Sequence, residues 1–475
     1  MSITRRQLLA GAAGSVAGLA GAKTEAVPGA TQPSIVMIVT DDMRADEWEA
    51  LPRTRALLAD AGTTFPNFIL TTPQCGPSRA SILTGRYAHS TGILGNGGAY
   101  RIFRDSGSEA NTVAVWLQQA GYRTALIGKY INGFQNFGHG VVPTGWTDWH
   151  SMMDVPTAYD HFNLSDNGTL TSFKKEDGAY GTDTFAERAL AIIADTEPQQ
   201  PLFLMLNVSA PHGSPKPAPR HHKLFSDAAV PRTDAFNEAD VSDKPRYIRE
   251  VAPFTPERIA EIDDERRGRL QTLQAVDEAV ERIVGLLEQE GRLESTVILF
   301  LSDNGYLLGE HRWWAKSVAY EESARVPLVV RGPGFSAGAV REELVANIDL
   351  APTLAVIAGI DVPEIVDGRP LPMINNDPGP PRQAALIQYL KYPGGVDRYR
   401  ALRTPSLLYV EYFTGERELY DLARDPLQLT NLAGNPAARE TISALSARLA
   451  ALADCGGAAC RAAENEPLRL PRWPL

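Results

Sequence analysis

Cysteine is scarce in this chain. Cys75, Cys455 and Cys460 are the only three in 475 residues, too few for a disulfide-built scaffold, and no cysteine or histidine cluster has the spacing of a zinc site. Long apolar runs are also missing beyond the N-terminal segment, so no stable membrane insertion is expected. Positive charge is in deficit, with 46 lysines and arginines against 57 acidic residues and a formal charge of −11, which argues against nucleic acid as a partner. An anionic substrate would then have to be drawn in by a local group of cations. There is no internal repeat and no low-complexity tract. What remains is ordinary for a globular enzyme, 44% hydrophobic and 22% charged.

The first residues read as an address. Thr4-Arg5-Arg6-Gln7-Leu8-Leu9 leads into an Ala/Gly/Leu-rich stretch that ends at Ala20-Gly21-Ala22, a small-x-small cleavage pattern. We read residues 1–22 as a twin-arginine signal peptide, with a secreted or periplasmic destination and the twin-arginine export machinery as a partner during maturation. In an oxidising compartment Cys455 and Cys460, separated by a short Gly-Gly segment, are expected to pair. Cys75 is then left over, and an unpaired exported thiol is a candidate for modification.

The remaining chain, about 450 residues, is long enough for a large core and two domains. Ser34–Thr40 (SIVMIVT), 123–127, 201–208 (PLFLMLNV) and 296–301 (TVILFL) are short apolar runs that read as buried strands. They alternate with helical patterns at 111–121, 182–195 and 266–289, and further strands are expected at 327–330 and 344–348. Strand–helix alternation predicts an α/β fold, a large, mostly parallel sheet sandwiched by helices, over residues 34–376. A proline-rich break at 377–381 precedes four short strands and a closing helix. These predict a smaller C-terminal domain of antiparallel sheet plus helix over 384–475. Residues 213–256 are proline-rich, charged and aperiodic, with a basic spot of Lys216, Arg220, His221, His222 and Lys223, and read as a lid or rim over an active site.

Chemistry gathers at strand ends. Asp41 and Asp42 follow the first strand, and Asp303 and Asn304 follow the 296–301 strand, which is where ligands sit in open α/β sheets. An all-oxygen donor set that includes an amide favours Ca²⁺, with Mg²⁺ or Mn²⁺ next. Cys75 opens Cys75-Gly76-Pro77-Ser78-Arg79, where Pro77 suits a helix's first turn and Gly85 can end it. Cys75 is thereby placed at a helix N-terminus, the positive end of its dipole.

The run from Cys75 to Arg79, followed by Leu83-Thr84-Gly85-Arg86, resembles the signature of the sulfatase family, in which that cysteine is oxidised to formylglycine by a formylglycine-generating enzyme. The resemblance extends over residues 34–431, through Ala210-Pro211-His212, Ser302-Asp303-Asn304-Gly305, Gly309-Glu310-His311 with Lys316, and Leu419-Tyr420-Asp421-Leu422. Gly128-Lys129-Tyr130, Asp303-Asn304-Gly305-Tyr306 and Ala346-Asn347-Ile348-Asp349-Leu350 are most similar to the N-acetylglucosamine-6-sulfatase branch. The resemblance implies that Asp41, Asp42, Asp303, Asn304 and the formylglycine oxygen at position 75 hold the metal. It further implies that Arg79 holds the formylglycine hydroxyl, that Lys129 and Lys316 contact sulfate oxygens, and that His212 serves the leaving group. His311 is carried as a further substrate-binding candidate. Many sulfatases have histidine two residues after the Gly-Lys lysine; here Ile131 and Asn132 stand there, and Asn132 is the candidate replacement.

The implied activity is hydrolysis of sulfate monoesters, on 6-O-sulfated amino sugars or related sulfated glycans and on small aryl sulfates. A sulfate ester is an anion, so a nucleophile reaches its sulfur only where cations offset the charge on its oxygens. One hydroxyl of the hydrated aldehyde would attack and the second would let the intermediate collapse, which a serine could not do. Two other readings stay open, a phosphonate monoester or phosphodiester hydrolase of the same superfamily and an inactive carbohydrate-binding protein.

Overall fold

The computed structural model describes residues 32–154, 159–373, 380–391 and 395–468. The export signal expected at 1–22 and most of the break at 377–381 lie outside them. Ser34–Thr40 (β1) occupies the middle of a ten-stranded sheet, flanked on one side by Leu202–Asn207 and on the other by Thr296–Ser302. Both neighbours run parallel to it, and the parallel block continues through Arg123–Gly128 to Asp148–Met152. All seven β1 residues are buried. Side chains alternate across a strand, so Ile35, Met37 and Val39 enter one core and Val36 and Ile38 enter the other. A strand covered on both faces needs an unbroken apolar run, which is what made these strands legible.

Antiparallel pairings flank the parallel block on both sides, and beyond Leu328–Arg331 the sheet continues through Thr63–Thr64 to an edge strand, Ala339–Val340, that pairs parallel with it. Leu328–Arg331 pairs antiparallel with Thr296–Ser302, and Phe162–Asp166 with Thr169–Phe173 forms a hairpin at the far edge. The hairpin was not anticipated; its strands are part-exposed and lack an apolar run. The expected strand at 344–348 is only Val345–Ala346, followed by a 3-10 turn at Asn347–Asp349. The long helix starts ten residues earlier than its apolar stripe suggests, spanning Pro256–Gln289. Thr255 caps it by accepting from Arg258 N at 3.3 Å, and Pro256 suits the first position. The first turns are mostly polar, and Ile262 alone among their residues is fully buried, which is too little for hydrophobic periodicity to report them.

A second, four-stranded antiparallel sheet is built from Ala385–Tyr389, Tyr399–Arg403, Leu407–Tyr412 and Arg417–Asp421, with the helix Arg439–Ala453 against it. No helix of the described residues is long and apolar enough to cross a membrane. Cys455 and Cys460 are disulfide-bonded, and Cys75 is a buried free thiol.

The C-terminal elements grip the segment that follows Cys75. The buried Glu464 carboxylate accepts from Arg369 at 2.6 Å, from Arg382 at 3.0 Å and from the Tyr87 hydroxyl. Arg382 also pairs with Asp349 at 2.7 Å. Such a network is sensitive to losing one member, because the partners stay buried and charged. Glu464→Ala should cost about 3 to 5 kcal/mol of stability, read from chemical denaturation. A loss below about 1 kcal/mol would show that water replaces the carboxylate.

Candidate active site

Register brings the strand ends together. Thr40 stands opposite Ser302, and Asp303 N donates to Thr40 O at 3.0 Å while Asp41 N donates to Ala210 O at 3.1 Å. Asp41, Asp303 and the segment leading to His212 therefore leave the sheet side by side. Neighbouring strand residues normally point to opposite faces, yet Asp41 and Asp42 converge. The reason is that Asp42 adopts a left-handed backbone, φ 70°, a conformation that aspartate tolerates better than most residues. Arg269 holds that turn, donating to Asp42 O at 2.5 Å while its Nε reaches Glu47 at 2.6 Å.

Cys75 is the first residue of a ten-residue helix, Cys75–Thr84, closed by Gly85 in the left-handed region. Asn96 Oδ1 accepts from Gly76 N at 2.8 Å, and Asn347 Oδ1 accepts from the Thr71 hydroxyl at 2.9 Å. These contacts seat the helix N-terminus against the carboxylates. Cys75 Sγ lies 3.6 Å from Asp41 Oδ1 and 2.9 Å from Lys316 Nζ. Lys129 Nζ bonds Asp41 and stands 3.9 Å from Asp303, and Lys316 Nζ bonds Asp42. Arg79 Nε donates to Asp303 at 2.7 Å, with Nη2 3.8 Å from Asp41 and without a hydrogen-bond partner among the described residues. His212 Nδ1 lies 2.8 Å from Gly213 O, which makes Nδ1 the donor and turns Nε2 to the cluster, 3.7 Å from Asp42.

Burial by itself would raise the Asp42 carboxyl, but Lys316 and His212 hold it down at about 2. Burial likewise disfavours the charge on Lys129, yet Asp41 outweighs it and keeps the ammonium more basic than usual. Burial pushes the Cys75 thiol up to about 11 against the pull of Lys129 and Lys316. An unmodified Cys75 would thus be a neutral thiol at neutral pH and a poor nucleophile.

The donor chemistry fits a hard divalent cation. The Asp41 and Asp42 carboxylates offer hard oxygen atoms within 4.8 Å of each other and of the Cys75 sulfur and a His212 ring nitrogen, and an oxygen at position 75 would make the set harder still. Asn304 donates to Asp42 at 2.5 Å, and its buried Oδ1 has no partner among the described residues. An orphaned carbonyl beside carboxylates lacks a positive partner, and a cation would be one. Asp303 joins through Asp42 N, 3.3 Å from its Oδ1.

Two candidates stand differently. His311 is buried, bonds Glu238 at 2.7 Å and stacks on Tyr320 at 4.2 Å, with no hydrogen bond to the cluster. Its neighbour Glu310 pairs with Arg44 at 2.7 Å, so that motif anchors the loop carrying Lys316. Asn132 lines a cavity of about 30 Å³ with Lys129 and Asp154, and its buried Oδ1 is unpartnered among the described residues. Sequence reading missed Arg269, Asn96 and Asn207, which donates to Lys129 O at 2.7 Å. Arg269 alone left a signal, a charged residue in the stripe of Leu273, Val276 and Val280.

The comparisons place this architecture. The model described as Sulfatase matches residues 33–360, and the model for the C-terminal region of N-sulphoglucosamine sulphohydrolase matches residues 309–454. The chain belongs to the sulfatase family and is a hydrolase of sulfate esters. It is 32% identical to an arylsulfatase of Volvox carteri, over 90% of this chain and 76% of that protein. It is 33% identical to the human N-acetylglucosamine-6-sulfatase, over 91% and 86%. The solved structure of BT4656 in complex with its substrate D-glucosamine-2-N,6-O-disulfate matches with a TM-score of 0.79 and 26% identity, over 92% of this chain and 99% of that one.

Gly128 lets Lys129 reach the cluster. Its φ is 92°, and a Cβ there would lie 2.0 Å from Asn207 O, the atom that accepts from Lys129 N at 3.0 Å. Gly128→Ala should lower stability by about 2 kcal/mol or more and reduce turnover of nitrophenyl sulfate. Wild-type stability and rate in this variant would show that the two strand ends separate without cost.

Proposed function

We propose that this enzyme is exported and removes 6-O-sulfate from amino sugars of sulfated glycans, cleaving small aryl sulfates as well, with residue 75 as formylglycine beside a Ca²⁺ ion. The observation that carries the reading is the buried juxtaposition of Cys75 with Lys316 and Asp41, 2.9 and 3.6 Å from its sulfur. The substrate class draws support from the human relative named for N-acetylglucosamine 6-sulfate and from the disulfated glucosamine held by BT4656. Export rests on the paired arginines and agrees with the Cys455–Cys460 disulfide.

Asp41, Asp42, Asp303 and Asn304, with the residue 75 oxygen, would hold the ion, and Ca²⁺ is preferred to Mg²⁺ or Mn²⁺ for an all-oxygen set of mixed carboxylates and amide. When bound, it would supply a fixed positive charge against the sulfate oxygens. Formylglycine, as its hydrate, would supply one hydroxyl as nucleophile and a second through which sulfate is released. The chain's own residues do the rest. Lys129 and Lys316 bind sulfate oxygens and offset their charge, and Arg79, whose Nη2 has no hydrogen-bond partner among the described residues, positions the hydroxyl at residue 75. His212, with Nδ1–H held by Gly213 O, gives up a proton from Nε2 as the imidazolium to the departing sugar oxygen and is left as the neutral Nδ1–H ring. Asn132, next to Lys129, orients the hydrate in place of the usual histidine.

Three measurements test this. Mass spectrometry of active protein, made with a formylglycine-generating enzyme, should show the residue 75 peptide lighter by the change from thiol to aldehyde; a fully active Cys75→Ala would end the mechanism. Asp42→Ala and Asp303→Ala should each lose the bound ion, read by elemental analysis, together with nearly all turnover. Stoichiometric zinc, with activity unchanged after calcium removal, would refute the metal assignment. His212→Ala should lose about 10² to 10⁴ in kcat/KM on a sugar 6-sulfate and far less on nitrophenyl sulfate, whose leaving group departs without a proton. Equal losses on both would make His212 a binding or structural residue.

A further inference from the structure

In the mechanism above the leaving group is the sugar, so the rest of a glycan has to extend on His212's side. The chain leaving His212 is a strap, Gly213-Ser214-Pro215-Lys216-Pro217-Ala218-Pro219, in which three alternate prolines restrict the backbone. Two tyrosines tie it down. The Tyr159 hydroxyl donates to His212 O at 2.8 Å and the Tyr180 hydroxyl to Lys216 O at 3.1 Å, and the two rings stack at 6.2 Å. From below, the long helix makes room at Gly268, where a Cβ would lie 2.8 Å from Pro215 Cγ. The strap is therefore a fixed wall, and four extended residues from His212 to Lys216 reach at most about 14 Å.

The strap residues Pro215, Lys216, Pro217 and Pro219 themselves line a cavity of about 350 Å³, together with Lys175, Asp160, Tyr180 and His222. Its charge is unevenly placed. Lys175 and Lys216 approach the same carboxylate, Asp160, at 3.6 and 3.7 Å. Both lysines are more than half exposed, 72% and 52%, so those long pairings are weak and easily exchanged. Arg220 is committed elsewhere, bonded to Asp183 at 2.6 Å and Glu278 at 2.7 Å. At this end one carboxylate thus faces two available ammonium groups, while Asp183 and Glu278 outnumber Arg220 at the other, in a chain whose overall charge is −11. Proline rings and Tyr180 provide apolar surface beside them, which suits the C–H face of a sugar ring.

We propose that this cavity is a second carbohydrate subsite, in which Lys175 and Lys216 hold the sulfate or carboxylate of a sugar neighbouring the one being desulfated. The inference rests on the sulfated-glycan reading and extends it from single sugars to oligosaccharides. Binding is measured by calorimetry on full-length Cys75→Ala protein, which cannot turn over its ligand. The probes are a uronic acid-containing tetrasaccharide with 6-O-sulfated glucosamine and the monosaccharide N-acetylglucosamine 6-sulfate. Adding Lys175→Ala and Lys216→Ala should weaken the tetrasaccharide about tenfold, or about 1.4 kcal/mol, and the monosaccharide by less than about twofold. Lys175→Arg with Lys216→Arg should restore the tetrasaccharide, since it keeps both charges. Unchanged tetrasaccharide affinity, equal weakening of both probes, or a parent protein that binds the tetrasaccharide no better than the monosaccharide overturns the inference. Turnover of the monosaccharide by the active enzyme separates the two claims. Its absence, with lysine-dependent tetrasaccharide binding, removes the 6-sulfate assignment and leaves the subsite; its presence, without that binding, does the reverse.

Discussion

Three carboxylates and three cations share one buried volume at the ends of parallel strands, and the rest of the structure serves that balance. Asp41, Asp42 and Asp303 are all within 1% of full burial, facing Arg79, Lys129 and Lys316. Any one of these charges alone in the interior would cost several kcal/mol. They are tolerable together because five separately anchored segments bring them to one place, Asp41 and Asp42 arriving together at the end of β1. The carboxylates come on β1 and Thr296–Ser302, Arg79 on the Cys75 helix, Lys129 after Arg123–Gly128, and Lys316 on the loop pinned by Arg44 and Glu310. A register slip in the sheet would separate the groups and leave charges unpaired, so the polar cluster polices the apolar core.

The same balance explains how an acidic protein handles an anion. As it stands, the cluster is close to neutral. A divalent ion would give it a net charge of about plus two, complementary to a sulfate monoester and its departing oxygen. Attraction is then local, while the surface at large keeps its negative charge. The cationic excess at Lys175 and Lys216 repeats this logic at the surface, one strap away from His212.

Much of the fold was visible in the residues because buried parallel strands must be continuously apolar. β1 has the expected bounds, and Arg123–Gly128, Leu202–Asn207 and Thr296–Ser302 differ by one or two residues from theirs. Elements stabilised by something other than apolar periodicity were harder to see. The first ten residues of Pro256–Gln289 rely on a cap, and the hairpin at 162–173 relies on backbone pairing with one neighbour. The loop at 213–256 was expected as a lid, but its basic spot is largely a set of docking contacts. Arg220 and His221 reach Glu278 on the long helix, and His222 bonds Pro217 O at 2.9 Å.

The residues by themselves determined the chemistry on offer: a cysteine opening a helix, acid pairs closing strands, lysines and a histidine in short runs that resemble one family. Those patterns are local in the chain, so they survive without a structure. What they could not decide is which groups meet. Asp41 and Asp303 are separated by 262 positions and Cys75 and Lys316 by 241; strand register joins the first pair, and the seating of the Cys75 helix and of the loop anchored by Glu310 joins the second. Tertiary packing also sorted like from like, sending Lys316 to the cluster and His311, five residues earlier, to Glu238 and Tyr320. A side chain's role depends on which neighbours burial imposes on it, and burial is a property of the folded chain rather than of any short stretch of it.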